Sequence, residues 1–423
     1  MAKQIPSLEL TLEQLLRDRE ALAVRNRTLA ETLHRPSFSQ QIRHQWLRLL
    51  ANSYVPPSRK ARNARRILVI RPDHIGDALL ATPAIRLLKH YRPHDEVHVL
   101  AGPWSASVFE NVREVDVVLT VPFPGFDRRN SASNIRSPYE FALRTASQIR
   151  KIGYQYAIIL RHDHWWGAWL AQLSGIRYRL GYDNADTSLF LTHQTPFKHT
   201  HAIEQNLRLV EQFLEKDLSD QIDYRYETHL NDHAFIRGYL AEWGVEHEDD
   251  TFCLHTGAGT SAKQWEPAKW AIVADILSEQ LGATAVFTGS DSELGMIRHI
   301  ADQMKKPPIL VAGDTSLGQL AALYERSKIV LGCDSGPLHI AAAVGTPTVT
   351  LFGPADPVEF RPWGNPNSHM ILQSSLGCLP CRIIDWVDDS LEFHPCVREI
   401  EINDVLSAAR HVVNYAERHP LSR

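Results

Sequence analysis

Residues 328–353 read KIVLGCDSGPLHIAAAVGTPTVTLFG, and the parsing of this stretch decides the fold. KIVLGC is an apolar, β-branched run that stops at Asp334. Alanine-rich sequence follows as far as Gly345, and PTVTLFG is a second β-branched run bounded by turn residues. Strand, helix, strand is the repeating unit of a parallel sheet covered by helices. The first turn carries an acid, a hydroxyl and an imidazole, Asp334, Ser335 and His339, inside otherwise apolar sequence. In open α/β sheets, ligands bind beyond the carboxyl ends of strands. A helix N-terminus at that place offers free N–H groups and a partial positive charge, which suits a phosphate. Gly336 permits close backbone approach, and Pro337 fits the first helical turn, where no N–H is needed. Asp334 or Ser335 can cap the helix, and the His339 ring can face a bound anion. The same residues also suit an ordinary cap and a surface histidine.

The alternation continues upstream. TFCLHTG, ATAVFTG and PPILVAG read as strands. EPAKWAIVADILSEQLG, closed by its glycine, SELGMIRHIADQM and SLGQLAALYERS read as helices. An earlier series has the same form: RRILVIRP, EVHVLAG, DVVLTVP and YAIIL as strands, with HIGDALLATPAIRLLKHY and WSASVFENV as helices. Residues 190–250 are more helical and polar and include the acidic patch EHEDD. A chain of 423 residues exceeds the ~250–300 that one core supports, so two α/β domains are expected. The boundaries read as a helical extension over residues 1–60, one domain over 61–240, a second over 241–400, and a helix over 401–423 that begins at an Asn/Asp cap.

Composition narrows the function. No apolar run reaches the ~18–20 residues of a membrane span. The start, MAKQIPSLELTLEQ, lacks the apolar core of a secretory signal. Five cysteines do not make a disulfide framework and point to a reducing, cytoplasmic setting. A net charge of −4 argues against wholesale nucleic-acid binding. The charge is uneven, however: residues 1–66 hold 13 Lys/Arg against 5 Asp/Glu, and no acid lies between Glu31 and Asp73. Phe38, Ile42, Trp46, Leu49 and Leu50 recur there at helical spacing. Such a stripe either docks on the following domain or lies on an anionic membrane surface, which would make residues 35–66 a peripheral membrane contact.

Three further stretches follow strands and carry chemistry. HTGAGTSAKQW, residues 255–265, is a loop whose backbone N–H groups and Thr256, Gly257, Thr260 and Ser261 can approach phosphate oxygens, with Lys263 as a point charge. RPDHIGDALL, residues 71–80, places Asp77 at a strand-to-helix turn, beside Gly76 and His74. As a cap it is ordinary; as a carboxylate facing a cleft it can act as a general base. FTGSDSEL, residues 287–294, supplies Glu293 as a candidate partner for a ribose or base.

Taken in order, HIGDALLATPAI, HTGAGTSAKQW, GDTSLGQLAAL and DSGPLHIAAAVGTPTVTLFGP resemble the ADP-heptose heptosyltransferases of lipopolysaccharide synthesis and the wider glycosyltransferase family 9. The resemblance covers roughly residues 66–410. It implies the GT-B fold, two Rossmann-like domains facing a cleft, with the acceptor on the first and the nucleotide-sugar on the second. It also implies an inverting, metal-independent transfer. Asp77 matches the family's proposed base, with Gly76 and His74 on the acceptor side. Lys263 matches the lysine on the donor phosphates, and Asp334, Ser335, Gly336 and His339 match the donor loop, where many members have Thr in place of Ser335. Thr315 and Ser316 match a less specific segment.

Cys378, Cys381 and Cys396 fall in one stretch, with His394 two residues before the last. C-x2-C is a half-site for zinc or iron, so these four residues are a candidate structural metal site; a reduced, partly buried trio is the alternative. Some relatives that glycosylate autotransporter proteins resemble this chain in carrying an iron-binding cysteine cluster, which leaves a protein acceptor open beside a glycolipid. A nucleotide-sugar epimerase and a non-catalytic nucleotide-sugar binder share the expected fold. The Gly76–Asp77 pair and the HxGxxxxxKxW loop match the transferases better.

Overall fold

The computed structural model describes residues 18–35, 37–57, 65–126, 137–245, 251–384 and 391–419. The acidic EHEDD patch and the basic residues Arg59, Lys60 and Arg62 lie outside them. The chain divides into two compact units. One comprises residues 37–227, and the other joins residues 228–423 to the segment up to residue 36.

The first unit is built on six parallel strands: β1 (Arg66–Arg71), β2 (Glu96–Ala101), β3 (Val117–Thr120), β4 (Tyr156–Ile159), β5 (Tyr178–Tyr182) and β6 (His193–Thr195). Their spatial order is β3-β2-β1-β4-β5-β6. RILVIR forms the centre because Ile67 to Ile70 are buried, with Ile67 opposite both Val97 and Tyr156. Near-continuous apolar runs of this kind belong to strands covered on both faces. The short helix α3 (Ile75–Leu79) follows β1, α4 (Thr82–Tyr91) leads towards β2, and α7 (Trp165–Leu173) follows β4. Strand β5 and the edge strand β6 are not legible in sequence, since YRLGY mixes charge and glycine with apolar residues and HQT is polar.

The second unit repeats the pattern. Its strands are β7 (Thr251–His255), β8 (Thr284–Gly289), β9 (Ile309–Ala312), β10 (Val330–Cys333), β11 (Thr348–Phe352) and β12 (His369–Gln373), in the order β12-β11-β10-β7-β8-β9. In each sheet the first strand sits in the middle, and the chain leaves it first to one side and then to the other. That reversal is the switch point at which ligands bind in such sheets. The helix between β7 and β8 closes at Gly282, which adopts φ +59°. The last helix, Ile402–Arg418, starts after Glu401. Asn403 and Asp404 therefore sit in its first turn and not at the cap the sequence suggested.

The two described helices of the amino-terminal segment go to different units. The first, Arg19–His34, belongs with the carboxyl-terminal unit, and the second, Phe38–Ala51, with residues 37–227. The docked face of the second carries Leu47, Leu50 and Ala51, and Gln172 donates a hydrogen bond to the Ala51 carbonyl. The Phe38–Ile42–Trp46–Leu49 stripe faces outward. Among the described residues, no helix is long and apolar enough to cross a membrane.

Candidate functional site

Asp77 lies in the first turn of α3, beyond the carboxyl end of β1, at the switch point of the first sheet. Its carboxylate is about one-third exposed, and the Arg71 guanidinium stands 3.5 Å from Oδ1. Arg71 is buried and also ion-pairs with Asp73 at 2.9 Å, while donating a hydrogen bond to Asn206 Oδ1. From the end of β4, Arg161 donates a hydrogen bond to Asp73 on its other side and pairs with Asp163 at 2.6 Å. Burial alone would raise the Asp73 carboxyl. Arg71 and Arg161 outweigh that and bring it down to about 2. The backbone of Asp73 is fixed as well, since its carbonyl accepts from Trp104 Nε1 and Ser105 Oγ. The Asp77 turn thus rests on a buried run of alternating charge. His74 is at the cap position of α3 without a side-chain capping bond, and its ring lies 5.5 Å from Trp104.

In the second unit, the loops after β7, β8 and β10 follow three adjacent strands. Lys263 lies in a short 3-10 turn after β7, and its Nζ donates to Asp334 Oδ2 at 2.6 Å. Asp334 follows β10 and is buried. Ser335 occupies the cap position of the next helix, α13 (Gly336–Ala343), but makes no capping bond; its hydroxyl turns back to the Cys333 carbonyl. The sequence reading gave the cap to Asp334 or Ser335. Without that bond, the first N–H groups of α13 are not taken up by the Ser335 side chain. Pro337 sits in the first turn as expected. His339 is not a surface residue. Burial, against the opposing pull of Asp334, lowers its imidazole to about 4, so it is neutral near pH 7.

The loop after β8 completes this arrangement. Glu293 accepts from the backbone N–H and hydroxyl of Ser290 at 2.7 Å. Its Oε1 lies so close to Gly257 that a Cβ on that glycine would meet it at 1.7 Å, so the carboxylate packs directly on the loop after β7. A Cβ on Gly313 would likewise meet Asp291 Oδ1 at 1.8 Å, so the segment with Thr315 and Ser316 abuts the same loop. The hydroxyls of Thr256 and Thr260 are buried without a hydrogen-bond partner among the described residues. Buried polar atoms are nearly always satisfied, so these two hydroxyls in a switch-point loop are open to a partner from outside the described residues.

The sequence matches glycosyltransferase family 9 (heptosyltransferase) over residues 142–386, more than half of the chain. The chain belongs to that family. It is a glycosyltransferase. Escherichia coli lipopolysaccharide heptosyltransferase 3 is 27% identical over 297 residues, 69% of this chain and 84% of its own length. Lipooligosaccharide heptosyltransferase 2 of Campylobacter jejuni is 22% identical over 354 residues, 82% of this chain and 98% of its own length. Among solved structures, a family 9 glycosyltransferase from Veillonella parvula aligns with a TM-score of 0.69 at 24% identity, covering 84% of this chain and 100% of the other. ADP-heptose lipopolysaccharide heptosyltransferase II of Escherichia coli aligns at 0.65 and 19% identity, covering 83% and 99%. These likenesses establish the fold as GT-B.

Within this glycosyltransferase the structure joins Lys263 to Asp334 and Gly257 to Glu293, and in the other unit it links Asp77 to Arg71. Arg71, Asp73 and Arg161 were missed in sequence. Two of them stand inside the stretch that supplied Asp77, and the available signal was a charge placed at the end of a buried strand. Cys378, Cys381, His394 and Cys396 line one small cavity with Asn26 of the first helix. Three sulfurs and an imidazole are a donor set suited to zinc or iron. Among the described residues no three of the four bring their ligand atoms within 4.8 Å of one another, so an ion would have to draw them together.

Proposed function

We propose that the chain transfers heptose from ADP-heptose to a hydroxyl of a lipopolysaccharide-type glycolipid, with inversion at the anomeric carbon and no metal in the chemistry. The observation that carries this reading is the donor end. The Lys263–Asp334 pair, the uncapped start of α13 and the unpartnered Thr256 and Thr260 hydroxyls occupy the switch point of one sheet. The names of the relatives supply heptose and lipopolysaccharide. In the reaction the acceptor oxygen forms a bond to the anomeric carbon as the bond to the diphosphate oxygen breaks. The acceptor's proton passes to Asp77, acting as general base. The charge that builds on the departing diphosphate is met by Lys263 and by the start of α13, where Gly336 offers its backbone N–H. Neutral His339 contributes a donor or acceptor there and no charge. Glu293, which lies beside Gly257, is our candidate for holding the ribose.

The test is calorimetric titration of the purified chain with ADP, UDP, GDP and dTDP, with transfer assays on Asp77→Asn. Selective ADP binding supports the donor assignment. Preference for another nucleotide discards heptose but keeps the mechanism. Asp77→Asn should retain ADP affinity and lose at least about 100-fold in kcat, the usual scale of general-base catalysis. Full activity in that variant would rule out Asp77 as the base.

A further inference from the structure

The helix Phe38–Ala51 has two apolar faces, and its own unit covers one. Leu47 is 0% exposed, while Phe38, Ile42, Trp46 and Leu49 are 76%, 44%, 61% and 64% exposed. These four are spaced by four, four and three residues, so they form one line along the helix. A capping box between Ser37 and Gln40 fixes the helix start. The underside is held by Arg43 and His44 on Asp186, at 2.9 and 2.7 Å. The outward stripe is therefore presented on a docked, rigid element. Isolated exposed apolar residues are common, but four in line, one of them Trp, need a partner.

Charge selects the partner. The helix carries no acidic residue, its Arg48 is exposed, and sequence on either side stays free of acid from Glu31 to Asp73. A second copy would bring one acid-free basic helix against another. A bilayer with anionic headgroups satisfies both features: the stripe enters the headgroup–acyl boundary with Trp46 at interfacial depth, and Arg48 meets lipid phosphates. We propose that this helix lies flat on an anionic membrane surface through Phe38, Ile42, Trp46 and Leu49. The inference deepens the reading that the acceptor is a glycolipid, because it assigns the surface at which such an acceptor is met.

The experiment uses the full chain and sedimentation with vesicles of phosphatidylcholine alone and of phosphatidylcholine with phosphatidylglycerol. The wild type should bind the anionic vesicles and be released by salt. Trp46→Ser with Leu49→Ser should weaken that binding at least about tenfold, since each side chain buries apolar area worth more than that factor. Arg48→Glu should weaken it by a similar factor. All the altered side chains are exposed, and unchanged thermal unfolding confirms that the variants fold. Wild type that stays in the supernatant, or a double variant that sediments like wild type, overturns the proposal. Loss of a wild-type dimer in the double variant, without vesicle binding by either, overturns it in favour of a second copy. No donor or acceptor is present, so the result is independent of the nucleotide titration. A chain that binds ADP but not vesicles keeps its proposed chemistry and loses this surface.

Discussion

Asp73 touches no substrate in the proposed reaction, yet it sets the environment of the residue that does. Arg71 is shared between Asp73 and Asp77, and Arg161 holds the far side of Asp73. Replacing Asp73 by Asn leaves two arginines without their shared counter-charge. Breaking one partner out of a buried ionic network costs about 3–5 kcal/mol, so the unit of residues 37–227 should melt earlier. A structural role alone would stop there. A positioning role adds a second effect: Arg71, released from one carboxylate, leans on the other and favours its ionised form. The acid limb of the kcat–pH profile should then move to lower pH in Asp73→Asn. An unmoved limb beside a lowered melting temperature would leave Asp73 a purely structural residue. Asp77, Lys263 and Asp334 were legible in sequence because reactive types stood at strand ends. The partners of Asp77 were not, because Arg161 lies 88 residues from Asp73 and only the order β1-β4 brings them together.

At the scale of elements, the first helix shows why a segment outside the family motifs still bears on their stability. Asn26 donates to the Phe393 carbonyl at 2.7 Å, Arg27 to the Gly377 carbonyl at 2.8 Å, and His34 lies 3.0 Å from the Cys381 carbonyl. The helix therefore clamps the cysteine segment from both of its described ends. Composition separated this helix as part of an extension, and only long-range contacts assign it. The strand HMILQ was missed for a related reason, since five residues at a sheet edge carry little signal. If Cys378, Cys381, Cys396 and His394 hold zinc or iron, as the C-x2-C spacing suggests, the ion fastens the same place. Burial raises all three thiols, Cys396 to about 12, so binding must displace protons and weakens as pH falls. Elemental analysis of the purified chain should find about one ion per chain, and Cys396→Ser should lower both its content and the melting temperature. Protein purified from metal-supplemented culture with neither zinc nor iron would end the proposal.

Across the whole molecule, buried imidazoles make stability depend on pH in one direction. His164 is pushed down to about 3 and His339 to about 4, in each case first by burial. An unfolded histidine titrates near 6.5, so below that pH the unfolded chain binds protons that the folded chain refuses. The stability these groups contribute is full above about 6.5 and falls as pH drops towards the folded values. By pH 5 each neutral imidazole should have cost about 2 kcal/mol. One lies in each unit, so both should be weakened together, without the compensation a carboxylate network gives at neutral pH. Asp73 works in a lower window: its folded value is about 2 against 3.8 unfolded, so its contribution persists until pH falls below about 4. Calorimetric scans from pH 7.5 to 5 should therefore show the melting temperature of the 37–227 unit falling by about 5 °C. His164→Gln provides the control. His164 is ringed by Phe123, Phe126 and Trp166, and among the described residues neither ring nitrogen has a hydrogen-bond partner, so no such bond is lost in the exchange. The variant should flatten the slope for that unit while the other unit keeps its own. A slope unchanged by His164→Gln would mean that this imidazole titrates in the folded chain as it does in the unfolded one.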